Sequence, residues 1–347
     1  MSLGKKLLKA VSGFLLVFAC VAAITATVGL FHFWLFLRLP AKPFAEKKQF
    51  FIPRNTGAYA VARLLESRGV IRNANEFYLL GLLTHSLHRL QAGEYAFSTL
   101  EGPGQVLEKI AKGQVVLYVI TLPEGSTLRD LAATVAKAGL AGSNEILGAG
   151  RGPKLAKSFA IKADALEGYL FPDTYRFKKP VLAAAIVGRM VARFRQKLPS
   201  GWQSRAKEMG MTLHQIVTMA SIIEKEAKVD SDRPIIAGVF YNRLKIHMPL
   251  QSDPTAVYDL PGFSGPITPT DLKRESPYNT YRIKGLPPGP ICNPGVKSIT
   301  AALYPSKVPY FYFVSNNDGT HHFSVTCQEQ QKAVSHYYEL KNKADKK

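Results

Sequence analysis

Two glutamates on one predicted helix are the residues whose type and spacing best suit acid–base chemistry. The segment Thr212 to Val229 begins with a capping box, Thr212-x-x-Gln215, and continues with apolar residues at helical spacing. At 100° per residue, Glu224 and Glu226 point about 200° apart on that helix. This angle excludes a mutually facing carboxylate pair and leaves open which of the two is functional. The alternative for either is an ordinary solvated glutamate on a helix surface.

Loops downstream of this helix combine amides, hydroxyls and aromatic rings on backbones stiffened by proline. They include LQSDPT (250–255), SPYNTY (276–281) and GLPPGPI (285–291). Such groups suit a sugar, because amides and hydroxyls bind its polar substituents and tyrosine rings stack on its apolar faces. The alternative is that these residues only build turns and caps.

Six ordered motifs closely resemble the MltG (YceG-like) endolytic murein transglycosylase family. They are LEGYLFPDTY (166–175), ASIIEKEA (220–227), VFYNRL (239–244), LQSDPTAVY (250–258), SPYNTY (276–281) and GLPPGPI (285–291). The resemblance covers nearly the whole chain. It implies cleavage of peptidoglycan glycan strands between N-acetylmuramic acid and N-acetylglucosamine without water, which leaves 1,6-anhydro ends on nascent strands and terminates their elongation.

The resemblance also assigns roles to individual residues. The family's catalytic glutamate is the second of its E-K-E motif, which is Glu226 here. We expect Gln251, Tyr278 and Asn279 to position the substrate. Asn242, Asp253 and Thr255 are further candidates for substrate binding, and Glu224 is expected to be structural. No metal ligand set and no cofactor motif are expected.

The chemistry of such an enzyme needs only one carboxyl group. Glycosidases that use water require two carboxylates, about 5–5.5 Å apart for retention or about 6.5–9.5 Å for inversion. A lytic transglycosylase replaces the second carboxylate with a hydroxyl of its own substrate. Two alternatives stay open: a water-using peptidoglycan hydrolase with Asp253 as its second carboxylate, and a non-catalytic, membrane-tethered wall-binding protein.

A single membrane anchor is predicted near the N-terminus. Residues 11–37 carry no formal charge over 27 positions, whereas a bilayer core needs about 20 helical residues. A cleaved signal peptide has a shorter apolar region, about 7–15 residues. Lysines and arginines flank both ends, so the positive-inside count does not decide orientation. The short leading tail favours an exported domain anchored in the cytoplasmic (inner) membrane, as the resemblance also implies.

Composition restricts the remaining function classes. The chain has 45 lysines and arginines against 25 aspartates and glutamates, a net charge of +20, and 46% hydrophobic residues. That hydrophobic content excludes a disordered chain, and three cysteines without a C-x-x-C pair exclude a zinc ribbon or a disulfide scaffold. No nucleotide-binding glycine motif and no nucleic-acid recognition motif occurs, so nucleic acid is not an expected partner. Expected partners are peptidoglycan strands, the cytoplasmic membrane and, by resemblance, wall synthases.

The predicted fold class is α+β, with a small LysM-like module and a mixed catalytic domain that carries the acid on a helix. A weak internal repeat aligns residues 53–69 with residues 123–139, each with a strand, a helix and a closing glycine. The expected division is a cytoplasmic tail (1–10), an anchor (11–37), a linker (38–48), the LysM-like module (49–118) and the catalytic domain (119–347).

Overall fold

The computed structural model describes residues 3–42 and 45–344, with side chains at 13–42 and 45–339. The chain forms two compact units. Unit 1 extends to Leu117 and includes Lys178–Pro180, and unit 2 comprises Tyr118–Phe177 and the chain from Val181 onward.

Unit 1 begins with the long helix α1 (Leu3–Arg38). Within it, Gly13–Arg38 has a mean hydropathy of 2.5, and no other helix in the described residues is both long and apolar enough to cross a membrane. Phe14 and Phe18 are exposed on its surface, which suits a helix whose surroundings are themselves apolar. The helix continues without a break through the described part of the expected tail.

The rest of unit 1 is a β-α-α-β arrangement followed by one more helix. Its elements are β1 (Lys47–Ile52), α2 (Ala58–Ser67), α3 (Ala74–Leu83), β2 (Gly93–Ser98) and α4 (Pro103–Ala111). The two strands pair antiparallel from Lys47 opposite Ser98 to Ile52 opposite Gly93. The helices cover this hairpin-like pair and bury a core that contains Val61, Leu65, Phe77, Tyr95 and Phe97.

Strand β1 begins earlier than the sequence indicated. Residues 38–48 were predicted to be a linker, but Lys47 and Lys48 already pair with β2. The described part of this segment therefore contains the start of the sheet, and residues 43 and 44 lie outside the described residues. The two lysines gave no apolar signal because their side chains are exposed or half-exposed.

Unit 2 opens with a similar arrangement that has three helices between its two strands. It consists of β3 (Tyr118–Thr121), α5 (Leu128–Lys137), α6 (Ser143–Arg151), the short helix α7 (Pro153–Ser158) and β4 (Thr174–Phe177). Strands β3 and β4 pair antiparallel, with Tyr118 opposite Phe177. This copy shares the strand order and pairing of unit 1, so the sequence repeat corresponds to a repeated structural element.

A glycine ends the first helix of each copy in the same way. Gly69 and Gly139 have φ values of 68° and 64°, in the left-handed region that favours glycine. The amides of Val70 and Leu140 donate to Leu65 O and Val135 O across the helix end. The sequence prediction of a glycine C-cap is confirmed at both positions.

The remainder of unit 2 is mainly helical and is built around one buried helix. The helices are α8 (Ala183–Lys197), α9 (Trp202–Glu208), α10 (Leu213–Glu226), α11 (Arg233–Lys245), α12 (Asp253–Val257) and α13 (Val296–Leu303). Helix α10 packs against α9, α11, α12 and α13. The chain ends with a hairpin of β5 (Tyr312–Ser315) and β6 (His321–Ser324) and with helix α14 (Cys327–Ala344).

The α+β class with one N-terminal apolar helix is confirmed by this mixture of helices and strands. The LysM-like character of residues 49–118 stays a prediction. So does the expected division into a tail, an anchor, a linker and two domains.

Replacing Gly69 with alanine is expected to destabilise α2 by about 1 kcal/mol, because an L-residue is strained at φ 68°. An added Cβ meets no atom nearer than Lys42 Cε at 4.0 Å, so the cost is conformational and not steric. Hydrogen exchange of the α2 amides in the full chain measures the effect. Gly104→Ala, at an open position inside α4, is the control. The explanation is contradicted if the α2 amides exchange as fast in this control as in Gly69→Ala, or faster.

Candidate functional site

Helix α10 places both candidate glutamates at its C-terminal end. It begins at the predicted capping box, in which Thr212 Oγ1 accepts from the Gln215 amide (3.2 Å) and Gln215 Oε1 accepts from the Thr212 amide (2.9 Å). It ends at Glu226, because Ala227 is extended with ψ at 123°. The predicted end at Val229 was therefore three residues too late.

Glu226 is partly exposed, and its carboxyl group lies among buried neighbours. Ser252 Oγ donates a hydrogen bond of 2.5 Å to Glu226 Oε1. Burial raises the pKa of Glu226 to about 7; the Ser252 hydrogen bond opposes this shift, the charge of Asp253 adds to it, and Arg243 opposes it. Protonated and ionised forms thus coexist near neutral pH, and the group can both donate and accept a proton.

Glu224 is held in a different environment from Glu226. Its side chain is 5% exposed, and it accepts from Arg233 Nη1 (3.0 Å) and from the Gly295 amide (2.9 Å). Arg233 also bonds Asp230 and Ser298. The ion pair joins α10 to α11 and to the start of α13, which is the structural role expected from the sequence.

Gln251 and Asp253 flank the serine that binds Glu226, and both are exposed. The Gln251 amide donates to Thr280 O (3.2 Å), and its φ of 50° bends the backbone there. Asp253 Oδ1 accepts from the Tyr281 hydroxyl at 2.5 Å. The structure therefore brings two of the predicted substrate-binding residues next to Glu226 with their side chains accessible.

Tyr278 lies in an aromatic pair beside a cavity. Its ring centroid is 4.8 Å from that of Tyr258. Both tyrosines line a cavity of about 690 Å³ together with His214 and Pro288. Rings exposed at the wall of such a cavity can stack on a sugar face.

The other three predicted residues each use a side-chain amide or hydroxyl group in a hydrogen bond within the protein. Asn279 is fully buried; its Nδ2 donates to Leu272 O and Arg274 O, and its Oδ1 accepts from the Tyr281 amide. Thr255 bonds the Thr280 hydroxyl (2.8 Å). Asn242 Nδ2 donates to Val308 O (2.8 Å) and Tyr310 O (3.0 Å). These contacts support a role in shaping the loops and not direct contact with a sugar.

Glu167 is a buried carboxyl group that the sequence analysis did not single out. Its oxygens accept from the Leu128 amide (3.0 and 3.1 Å), from Asn293 Nδ2 (2.9 Å) and from the Tyr258 hydroxyl (3.2 Å). It therefore connects the start of α5 to Tyr258 of the aromatic pair. Burial raises its pKa to about 7. The sequence did contain a signal that could have identified Glu167, namely a single charged residue within the apolar run LEGYLF. A charge that is buried in such a run requires polar partners.

The histidines and cysteines form no additional centre in the part of the chain that the structure describes. No group of three or more His, Cys, Asp or Glu residues there has a metal-binding arrangement. His321 Nδ1 bonds Asp232 (2.9 Å), and His322 is exposed on the other face of β6. Cys292 is buried and Cys327 is exposed, and both are free thiols.

Replacing Glu167 with glutamine is expected to lower the free energy of unfolding of unit 2 by roughly 1–3 kcal/mol. The glutamine side chain keeps one acceptor oxygen but places an NH2 group against the buried donors of Leu128 and Asn293. At least one of these donors then loses its hydrogen bond. Chemical denaturation of the full chain in detergent measures the change. Glu275→Gln, on the surface, is the control and is expected to change stability by less than about 0.5 kcal/mol; equal effects would contradict the assignment.

Comparison with known proteins agrees with this architecture. The endolytic murein transglycosylase of Bacillus subtilis (strain 168) is 33% identical over 306 residues, which cover 84% of this chain and 85% of the relative. The protein of the same name from Streptococcus pneumoniae (strain D39) is 29% identical over 322 residues, and the match spans only 58% of its length. A crystal structure of a yceG-like protein from Listeria monocytogenes has a TM-score of 0.58 and 36% identity, and it covers 84% of this chain and 100% of its own.

The family model described as "YceG-like family" matches residues 50–336, which include Glu167, Glu226 and the Gln251–Asp253 loop. With more than half of the chain matched and a relative above 30% identity, the chain belongs to the YceG-like family.

Proposed function

We propose that this chain is a membrane-anchored peptidoglycan lytic transglycosylase with Glu226 as its only catalytic carboxyl group. It cleaves the bond between N-acetylmuramic acid and N-acetylglucosamine within glycan strands and leaves 1,6-anhydro ends. The observation that carries the proposal is the Glu226 carboxyl group, with a pKa of about 7, bonded to Ser252 beside two accessible polar residues. Three relatives share the name endolytic murein transglycosylase, which supports this class of reaction.

The reaction follows from a carboxyl group that changes role. Protonated Glu226 donates its proton to the glycosidic oxygen as the bond to muramyl C1 breaks. The resulting carboxylate then accepts the proton of the muramyl C6 hydroxyl, whose oxygen bonds to C1. The proton returns to Glu226, no water is consumed, and the carboxyl group is ready for the next cycle. Ser252, through its 2.5 Å hydrogen bond, orients Glu226 for both steps.

Substrate positioning is assigned to Gln251, Asp253 and Tyr278. Gln251 and Asp253 present an amide and a carboxylate next to Ser252, and Tyr278 presents a ring at the cavity wall. Asn242, Thr255 and Asn279 hold the loops that carry these groups. A substitution at any of these three residues is therefore expected to affect activity by altering the shape of the loops that carry the substrate-binding groups.

A water-using hydrolase is the second candidate, because Asp253 is near enough for its charge to raise the pKa of Glu226. In that mechanism Asp253 would serve as the second carboxylate. Its hydrogen bond from Tyr281 and its exposed position suit a group that orients water as well as one that binds a sugar hydroxyl. The chemical nature of the product distinguishes the two reactions.

The proposed location is the cytoplasmic (inner) membrane, with α1 as a single-pass anchor and unit 2 on the extracytoplasmic side. Peptidoglycan lies outside that membrane, so the N-terminus faces the cytoplasm. Cutting there acts on nascent strands and terminates their elongation, in cooperation with wall synthases. Residues 49–118 are proposed to be a LysM-like module that assists binding to the wall.

Glu226→Gln is expected to abolish the formation of anhydro-ended fragments, because the amide can neither donate the required proton nor accept one from the C6 hydroxyl. Full-length protein in detergent is incubated with isolated peptidoglycan, and the products are weighed by mass spectrometry. Glu275→Gln, a surface change, is the control that retains wild-type products.

The products of the wild-type protein decide between the candidates. Anhydro ends are one water lighter than reducing ends, so their presence supports the transglycosylase. Reducing ends that require both Glu226 and Asp253 would establish the hydrolase instead. Binding without any cleavage would leave the non-catalytic wall-binding protein as the explanation.

The pH dependence of kcat/KM is expected to reveal the ionisation of Glu226. Activity falls above a pH of about 7 as the carboxyl group loses the proton that it must donate. Ser252→Ala removes a hydrogen bond that lowers this pKa, so the alkaline limb moves to higher pH. Asp253→Asn removes a charge that raises it, so the limb moves to lower pH. Shifts in the same direction, or none, would contradict the assignment of Glu226 as the acid.

A further inference from the structure

A second cavity of unit 2 adjoins the cavity that Tyr258 and Tyr278 line, which we call the aromatic cavity. Its volume is about 570 Å³, within the range of small-molecule sites. Its lining includes Lys225 and Pro254, which are the sequence neighbours of Glu226 and Asp253, and it shares Glu167 and Tyr258 with the aromatic cavity. The two cavities therefore adjoin each other along the wall formed by Tyr258.

The basic cavity, as we call it, is lined by Arg129, Arg151 and Lys225. None of the three forms an ion pair with a carboxylate of the described residues. Arg129 Nη1 donates to Leu260 O (3.0 Å), and Lys225 Nζ donates to Gly125 O (3.5 Å). Arg151 is exposed at the end of α6. Their positive charges thus remain available to a ligand.

The acidic groups on the same wall are already engaged. Asp130 accepts from the Thr127 amide and hydroxyl in the cap of α5. Asp259 is paired with Arg274 and accepts from the Ser276 hydroxyl. Glu167 accepts from three donors and is only partly ionised at neutral pH. The wall therefore presents more free positive charge than free negative charge.

We propose that the basic cavity binds the carboxylates of the peptide stems carried by muramyl residues, so that the enzyme recognises peptide-bearing strands. This inference rests on the proposed function, because it assumes a glycan strand at Glu226. In a strand that carries stems the glycan itself is neutral, because the lactyl group of each muramyl residue is bound to its peptide as an amide, and the tyrosines of the aromatic cavity suit it. A muramyl residue also carries a peptide with free carboxylates, which arginine and lysine bind through charge-assisted hydrogen bonds. The adjoining cavities match these two parts of one polymer.

The experiment measures binding in a Glu226→Gln background, in which no cleavage alters the ligand. Full-length protein in detergent is titrated with soluble glycan strands of equal length in three forms. The first carries peptide stems, and the second carries the same stems with their carboxylates amidated. The third has had its stems removed by an amidase, which leaves one lactyl carboxylate on each muramyl sugar and tests whether the carboxylate must be on the stem. Arg151→Gln and Lys225→Gln are added singly and together. Arg151→Lys preserves the charge, and Lys207→Gln, on exposed α9, is the matched control.

The expected result is that strands with free carboxylates on their stems bind more tightly than the amidated strands and than the stripped strands, whose carboxylates lie on the sugar. Each neutral substitution should weaken binding of the first form about two- to fivefold, as expected for partly exposed ion pairs. Arg151→Lys should retain most of the preference, and Lys207→Gln should retain all of it. The amidated and stripped strands should bind all variants equally.

Three results would overturn the inference: no preference for free carboxylates, a preference that survives the double substitution, or no binding of any strand. Cleavage by the Glu226-containing protein, measured in parallel on stripped strands, reports the proposed function separately. An active enzyme without a carboxylate preference would therefore overturn only the inference. An inactive enzyme with the preference would overturn only the proposed reaction.

Discussion

The burial of α10 is the interaction on which the proposed chemistry depends. Its apolar residues, among them Ile216, Val217, Ala220 and Ile223, are fully buried between neighbouring helices. Each large side chain of this kind contributes roughly 1.5–3 kcal/mol when it is removed from water. The same packing carries the polar C-terminal end of the helix into surroundings that disfavour charge. A carboxyl group at that end must find a cationic partner or keep its proton.

The two glutamates of the E-K-E motif represent these two outcomes. Glu224 is paired with Arg233, and removing Arg233 would leave the buried Glu224 side chain without its cationic partner. Glu226 is bonded to a serine instead of a cation, and burial raises its pKa to about 7 although the Ser252 hydrogen bond partly opposes this shift. An arginine at the position of Ser252 would stabilise the carboxylate and remove the proton that the reaction needs. The proposed catalytic role thus depends on a buried carboxyl group with no directly bonded cation among the described residues, whereas Glu224 has such a partner and joins α10 to α11.

The sequence predicted the parts of the structure that have a local signal. The capping box at Thr212, the glycine C-caps and the direction of the two glutamates follow from backbone geometry within one helix. Helix α3 was missed because ANEFYLLGLL is apolar around most of its circumference and lacks a 3.6-residue pattern. Glu167 was missed because its partners Leu128, Tyr258 and Asn293 are far away in the chain. The partners of Asn279 lie only two to seven residues away, but in irregular loops that have no repeating pattern to indicate which way a side chain points. Asn279 resembled a sugar-binding amide by type, and only its contacts with Leu272, Arg274 and Tyr281 reveal its structural role.

The internal repeat suggests how a plain scaffold became one wall of the site. In the copy of unit 1, α2 follows Gly57 and has no side-chain cap. At the equivalent position the copy of unit 2 has Thr127, which forms a capping box with Asp130, and the next amide binds Glu167. The residue after that is Tyr59 in unit 1 and the cation Arg129 of the basic cavity in unit 2. Both copies share the antiparallel strand pair and the first helix with its glycine cap, and they differ in the polar residues at the start of that helix. In the second copy these residues connect the helix through Glu167 to Tyr258 and the proposed binding surface.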